Sequence, residues 1–311
     1  MTSIHALQTK AVQTLDLNFM GIPGTIAAYL IPHAHGAVLI ESGPGSTIPA
    51  LLGGLKSHHL TERDITDVLL THIHLDHAGA AGWLARQGAH IHVHHVGAPH
   101  LQNPEKLLSS AARIYGDMME ELWGEFLPVP EDRLSVLYDD DIVEVDGLRF
   151  RALDTPGHAS HHMAFLFEDI CFTGDIGGVR LADLRHLKLP MPPPEFHLEQ
   201  WRASLKKLQE VYVEESCRRI APTHFGIYND PDWHLTAVSN ALDEIDNWMQ
   251  KIMPSDPDLE HLTQAFVNWT RSNSIDQGLD DDQINAFETA NPSWMSASGI
   301  NRYWHKYRED G

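Results

Sequence analysis

Four groups able to bind a metal ion crowd into six residues of this chain, His72-Ile73-His74-Leu75-Asp76-His77. The run follows Thr71 and a short apolar stretch, Val68-Leu69-Leu70, that reads as a strand buried on both faces. It precedes Ala78 to Gln87, a small-residue segment with a helical pattern. A strand that delivers polar groups at its carboxyl end, with a helix opening just beyond, is how α/β proteins commonly place their ligands. The motif therefore asks for a sheet with helices packed on it. Imidazole and carboxylate together suit zinc, manganese or iron, whereas a four-thiolate site would need more than Cys171 and Cys217.

The rest of the chain agrees with an α/β reading. Strand-like runs fall at Ala27 to Ile31, Val38 to Glu41, Ala89 to Val96, Leu134 to Leu137, Asp141 to Val145, Leu148 to Leu153, His162 to Phe167 and Ile170 to Thr173, and a last strand ends near Thr223-His224. Asp146-Gly147 is the two-residue turn of a hairpin. Ile48 to Leu55 and Leu198 to Tyr212 read as helices, and so does Pro104 to Phe126, stopped by Pro128 and Pro130. From Pro231 onward only helical patterns remain. The organisation expected is a catalytic domain over 1–230, with a helical insertion at 104–130, and a C-terminal helical extension over 231–311 packed on that domain or on a partner subunit. His90, His92 and His94 share one face of their strand by alternation and read as a polar or half-exposed strand face, while Cys171 reads as a core residue.

Three further strand ends carry matching groups: Thr155-Pro156-Gly157-His158, Phe172-Thr173-Gly174-Asp175 and Ala221-Pro222-Thr223-His224. With these residues in view, the sequence resembles the metallo-β-lactamase-fold hydrolase superfamily, and within it the branch with a complete two-metal site, such as glyoxalase II and acyl-homoserine-lactone lactonases. The resemblance spans roughly residues 14–230. It implies a four-layer αββα sandwich of two mixed β-sheets flanked by helices, with the metals at one edge. It further implies that His72, His74 and His158 hold one divalent ion, that Asp76, His77 and His224 hold a second, and that Asp175 bridges both. Two such ions, zinc first and manganese or iron after it, sit about 3.5–4 Å apart and share a hydroxide that attacks a carbonyl. Asp76 and Asp175 are then the catalytic carboxylates, with the option of passing a proton to the leaving group.

The reaction expected is hydrolysis of an ester, lactone, thioester or amide of a small molecule. The alternative from another class is a non-hydrolytic di-iron redox or metal-binding protein on the same fold. Phosphodiesterase and β-lactamase activities rank below both. A formal net charge of −21 without a basic run disfavours a nucleic-acid partner. No run approaches the ~20 apolar residues of a membrane span. Two cysteines and an amino terminus, Met1 to His5, without a basic-then-apolar signal fit a cytoplasmic protein. The acidic tail lacks the basic residues a glutathione substrate would want, and Ile176 to Arg180 contains no Tyr of the kind lactonases place near the bridging Asp. Around the metals, His162 is expected to support a ligand. Tyr115 and Trp123, on an apolar lid, and Arg180, on the loop from Ile176 to Pro194, are expected to touch substrate. Trp294, Ile300, Tyr303 and Trp304 in the tail are aromatic and apolar enough to close a homodimer or cover the pocket.

Overall fold

Alternating apolar residues sort the strands into two sheets. The computed structural model describes residues 11–181 and 184–308, so the amino-terminal Met1 to His5 and two residues of the loop after Asp175 lie outside the described residues. In the first sheet β1 (Gln13–Asp16), β2 (Ala27–His33), β3 (Gly36–Ile40), β4 (Ile65–Leu69), β5 (His90–His94) and β6 (Leu134–Leu137) lie side by side in that order. The pairs are antiparallel up to β3 and parallel from β3 to β6. The second sheet contains β7 (Ile142–Val145), β8 (Leu148–Asp154), β9 (Met163–Phe167), β10 (Ile170–Phe172) and β11 (Arg219–Ala221). Only β10 and β11 are parallel in it. Asp146 and Gly147 have φ of 47° and 76°, the left-handed pair that a tight two-residue hairpin requires.

Three apolar layers follow from this pairing. Tyr29, Ile31, Val38 and Ile40 face Phe150, Phe165 and Phe172 between the sheets. On the outside of the first sheet, Leu39, Val68 and Ile91 pack under α1 (Ile48–Ser57) and α3 (Ala81–Gln87). The motif enters that layer through a single turn, α2 (Leu75–Ala78), and the helix expected over Ala78 to Gln87 begins only at Ala81. On the outside of the second sheet, Leu153, Ala164 and Cys171 pack under α7 (Leu198–Glu214). The architecture is thus two mixed sheets flanked by helices, with a C-terminal helical extension.

The segment 104–130 is not one helix. α4 (Ala98–Gln102), which the sequence pattern does not reveal, leads into α5 (Glu105–Tyr115), and α6 (Met119–Trp123) follows a single tight turn. Gly116, at φ 54°, ends α5, because a residue with a Cβ resists that conformation. The extension consists of α8 (Pro231–Ile252), α9 (Leu259–Asp276), α10 (Asp281–Ala290) and α11 (Ser293–Tyr307). Its Leu242, Phe266, Ile300 and Tyr303 share one core with Leu153 and Trp201, so these tail residues are covered by their own chain. At Gly299 of α11 a Cβ would fall 1.9 Å from the Met191 carbonyl oxygen, and only glycine allows that approach. No helix among the described residues is long and apolar enough to cross a membrane.

The His90, His92 and His94 face is polar, with His90 the half-exposed member of the three. His92 and His94 are buried, with His92 Nε2 2.8 Å from Asp67 Oδ1 and His94 Nε2 3.2 Å from Asp154 Oδ1 of the other sheet. Asp67 takes up the His92 nitrogen, while His94 Nε2 lies beside Asp154 without a hydrogen bond.

Candidate metal centre

Four strand ends meet at one edge of the sandwich. After β4 come His72, His74, Asp76 and His77; after β8, His158; after β10, Asp175; after β11, His224. His158 Nε2 lies 3.2 Å from His72 Nε2 and 2.9 Å from His74 Nδ1, and the last two are 3.0 Å apart. Beside this triangle, Asp76 Oδ2 is 3.4 Å from His77 Nε2 and 3.3 Å from His224 Nε2. Asp175 reaches both groups: Oδ1 is 3.3 Å from His77 Nε2, and Oδ2 is 3.4 Å from His158 Nε2.

The partners on the far side of each ring decide which nitrogen carries a proton. His158 Nδ1 donates to the Pro190 carbonyl at 2.8 Å, and His224 Nδ1 donates to the Thr25 carbonyl at 2.7 Å. His77 Nδ1 donates to Glu41 Oε1 at 2.9 Å. The Thr71 hydroxyl gives its proton to Glu41, so it accepts from His72 Nδ1 at 3.0 Å. In each case Nε2 is the nitrogen left facing inward, the atom that would ligate a metal. His77 Nε2 and Asp175 Oδ1 are buried without a hydrogen-bond partner. Lone pairs at this spacing repel unless a cation lies among them, so the donor set fits bound metal.

Electrostatics separate the two groups. In the first, burial and the neighbouring imidazoles hold His72 well below its ordinary value and His74 down at about 3, and burial lowers His158 as well. These rings stay neutral, as ligands must. In the second, burial opposes charge, but Asp76, Asp175 and Glu41 outweigh it and raise His77, while Asp175 and Asp76 raise His224. Burial likewise favours protonated carboxyls, yet His77 and its neighbours hold Asp76 and Asp175 below the usual carboxylate range. Both carboxylates are ionised at neutral pH and demand positive charge.

Glu41 is the functional residue that sequence reasoning missed. It is fully buried at φ 68°, and its carboxylate gathers Thr71, His77 and Thr223 at once. The available signal was a charged residue closing the wholly apolar run Val38-Leu39-Ile40. His162 is fully buried behind Asp175. Its Nδ1 donates to Thr155 Oγ1 at 2.9 Å and its Nε2 accepts from the Asp175 backbone at 3.1 Å, which fixes the turn that aims the carboxylate.

The centre forms the floor of a cavity of about 680 Å³. Tyr115 and Trp123 line it, 5.1 Å apart edge to face, and Trp294 and Met295 from the C-terminal extension line it beside them. The Tyr115 hydroxyl lies 3.0 Å from Met295 Sδ. Arg180, in contrast, is not among the cavity residues. It is buried, its guanidinium pairs with Asp230 at 2.7 Å and lies 3.8 Å over the Tyr228 ring, so it braces the loop after Asp175.

An archaeal metallo-beta-lactamase fold-containing protein from Sulfurisphaera tokodaii is 30% identical over 148 residues, 46% of this chain and 56% of its own length. An atrochrysone carboxyl ACP thioesterase from Aspergillus fumigatus is 29% identical over 233 residues, 72% of this chain and 58% of its own. The chain thus spans somewhat over half the length of these curated relatives. Among solved structures, a metallo-beta-lactamase family protein from Thermus thermophilus superposes with a TM-score of 0.61 at 21% identity, covering 95% of this chain and 93% of that one. At that identity the likeness speaks for the fold alone. The family model for the metallo-beta-lactamase superfamily matches residues 21–214, the stretch that supplies all of the clustered donors but His224, and this chain belongs to that superfamily.

Proposed function

We propose that this protein is a two-metal hydrolase of carbonyl esters and thioesters with a bulky apolar acyl group. The observation that carries the reading is the set of inward-facing donors, His72, His74 and His158 beside Asp76, His77 and His224 with Asp175 between them, at the floor of an apolar cavity. Zinc fits these nitrogen and oxygen donors best, with manganese or iron as substitutes. A pair of divalent cations held there supplies an activated water and a Lewis acid for the carbonyl oxygen.

The chain's own residues do the rest. Glu41, the Pro190 carbonyl and the Thr25 carbonyl orient the imidazoles so that their inner nitrogens face the place a metal would take. Asp76 turns Oδ2 towards His77 and His224, which leaves Oδ1 to take a proton and return it to the departing alkoxide or thiolate. Tyr115, Trp123 and Trp294 receive the acyl group and exclude bulk water from the carbonyl. The thioesterase-named Aspergillus relatives bring thioesters to the front of the substrate list, and the charge of −21 favours a free small molecule over a polyanion.

The test is a panel of aryl esters, thioesters, lactones, β-lactams and phosphodiesters offered to the zinc-reconstituted protein, with Asp76→Ala as control. Turnover of esters or thioesters, lost in the variant, supports the proposal. Turnover of phosphodiesters alone, or carbonyl hydrolysis that persists in Asp76→Ala, overturns it.

A further inference from the structure

One charged group beside the floor of the cavity has no place in the metal set. Glu195 follows Pro192-Pro193-Pro194 and projects into the cavity wall, with its side chain 27% exposed. The loop that carries His158 holds it from two sides. Ser160 Oγ donates to Glu195 Oε1 at 2.7 Å, and His161 Nε2 donates to Glu195 Oε2 at 2.9 Å. The proton sits on His161 Nε2 because His161 Nδ1 faces the Ile73 backbone N–H at 3.5 Å. Donor atoms of His74, His161 and Glu195 all lie within 4.8 Å of one another, so this carboxylate stands beside the floor, next to the place a reacting carbonyl must occupy. Ile73, Leu75 and the three prolines supply the neighbouring wall and offer no side-chain acceptor.

A carboxylate accepts along about four lone-pair directions. Ser160 and His161 use one on each oxygen, and a second on each remains for a group inside the cavity. An ionised acceptor fixed in an apolar wall discriminates strongly, because a ligand without a donor leaves it desolvated and unpaired. A second carboxylate brought there meets like charge.

We propose that Glu195, oriented by Ser160 and His161, is a specificity residue that selects acyl groups bearing a hydroxyl near the scissile carbonyl. The assignment rests on the hydrolase reading above for its reaction, but its binding arm does not. His74 presents Nδ1 to His72 and His158, so a third metal site on this trio would have only His161 and Glu195 to itself, and a substrate hydroxyl fits better.

The probes are S-phenyl thioesters of benzoate and of 2-, 3- and 4-hydroxybenzoate, together with acetophenone and its hydroxy isomers, which have no bond to cleave. Zinc-loaded full-length protein and its E195A and E195Q variants are compared by kcat/KM on the thioesters and by calorimetric binding of the ketones, with metal content measured for each. At least one hydroxy isomer is expected to exceed its parent by about 10–100-fold in both measurements, the range of a hydrogen bond to a charged group. In E195A that ratio falls to about 1, and in E195Q, which keeps the shape and one neutral acceptor, it falls several-fold. A wild type without hydroxyl preference, or a preference that survives both substitutions, overturns the assignment. Thioesters left uncleaved while the ketone preference depends on Glu195 would sink the hydrolase reading and leave the assignment standing. Thioesters cleaved without preference would do the reverse.

Discussion

The floor and the roof of the cavity are built on different principles. On the floor, strand ends bring seven polar groups to spacings of 2.9 to 3.5 Å, and buried partners such as Glu41 and the Pro190 carbonyl fix every ring that a backbone or carboxylate oxygen can reach. The roof is assembled from α5, α6 and the start of α11, with aromatic rings and a thioether in contact. A sheet edge cannot shift one ligand without shifting the strand behind it, whereas helices in an insertion and a tail move as side chains change. The floor is therefore suited to chemistry and the roof to choosing what reaches it.

This contrast can be broken or sharpened by experiment. Asp175→Ala removes the one group that reaches both halves of the floor, and kcat/KM is expected to drop by about 10³-fold or more while bound metal falls from two equivalents towards one; activity that survives would mean the floor is not where the chemistry occurs. Glu41→Gln keeps the shape but disturbs the partners of His72 and His77, and a chromophoric chelator should report zinc affinity weakened by about 10–100-fold. Trp294→Ala belongs to the roof. It should lower the preference for aromatic over acetyl thioesters by roughly 5–10-fold, on the scale of one buried aromatic contact, with metal content unchanged; equal losses on both substrates would erase the division between floor and roof. The smallest effect concerns how α8 is fastened to the loop after Asp175. Burial, opposed by the Gly177 carbonyl that accepts from Nε2 and reinforced by Arg180, lowers His234 to about 4. Its folded value lies below its unfolded one, so the unfolded chain binds the extra proton. Stability is full above pH 6.5 and declines as pH falls from there towards 4, by about 1 kcal/mol per unit at most in mid-window. Thermal midpoints taken from pH 7 to 4.5 should show this limb in the wild type and a shallower one in His234→Gln.

Most of the floor could be read from the sequence because strand ends announce themselves. His72 to His77 follow an apolar run too short to be anything but a buried strand, and His158, Asp175 and His224 each close a similar run. Glu41 closes one as well but escaped notice, since a single carboxylate between Ile40 and Ser42 looks like ordinary turn chemistry until the fold sets Thr71, His77 and Thr223 around it. The roof was legible only in part. Helical spacing identified Tyr115 and Trp123, but Gly116 and Gly124, both at positive φ, break the segment, and periodicity does not register a change of helix axis. Trp294 looked like a dimer contact or a cover because no local pattern says which distant wall a tail will meet. Arg180 illustrates the opposite error. Nearness to Asp175 in sequence suggested substrate, while Asp230, Tyr228 and Trp233 claim its guanidinium.

The Pro190-Met191 step joins parts of the chain that are far apart in sequence. Pro190 lends its carbonyl to His158, the Met191 N–H donates to Ser296 Oγ at 3.3 Å, and Gly299 rests on the Met191 carbonyl oxygen. The last helix is thereby a splint for a ring nitrogen at the reacting centre. In practical handling, a fusion partner or a cut placed at the carboxyl end reaches the candidate metal centre through two residues of loop, and a fragment ending at residue 230 would inherit every clustered donor but not the means of holding His158 still.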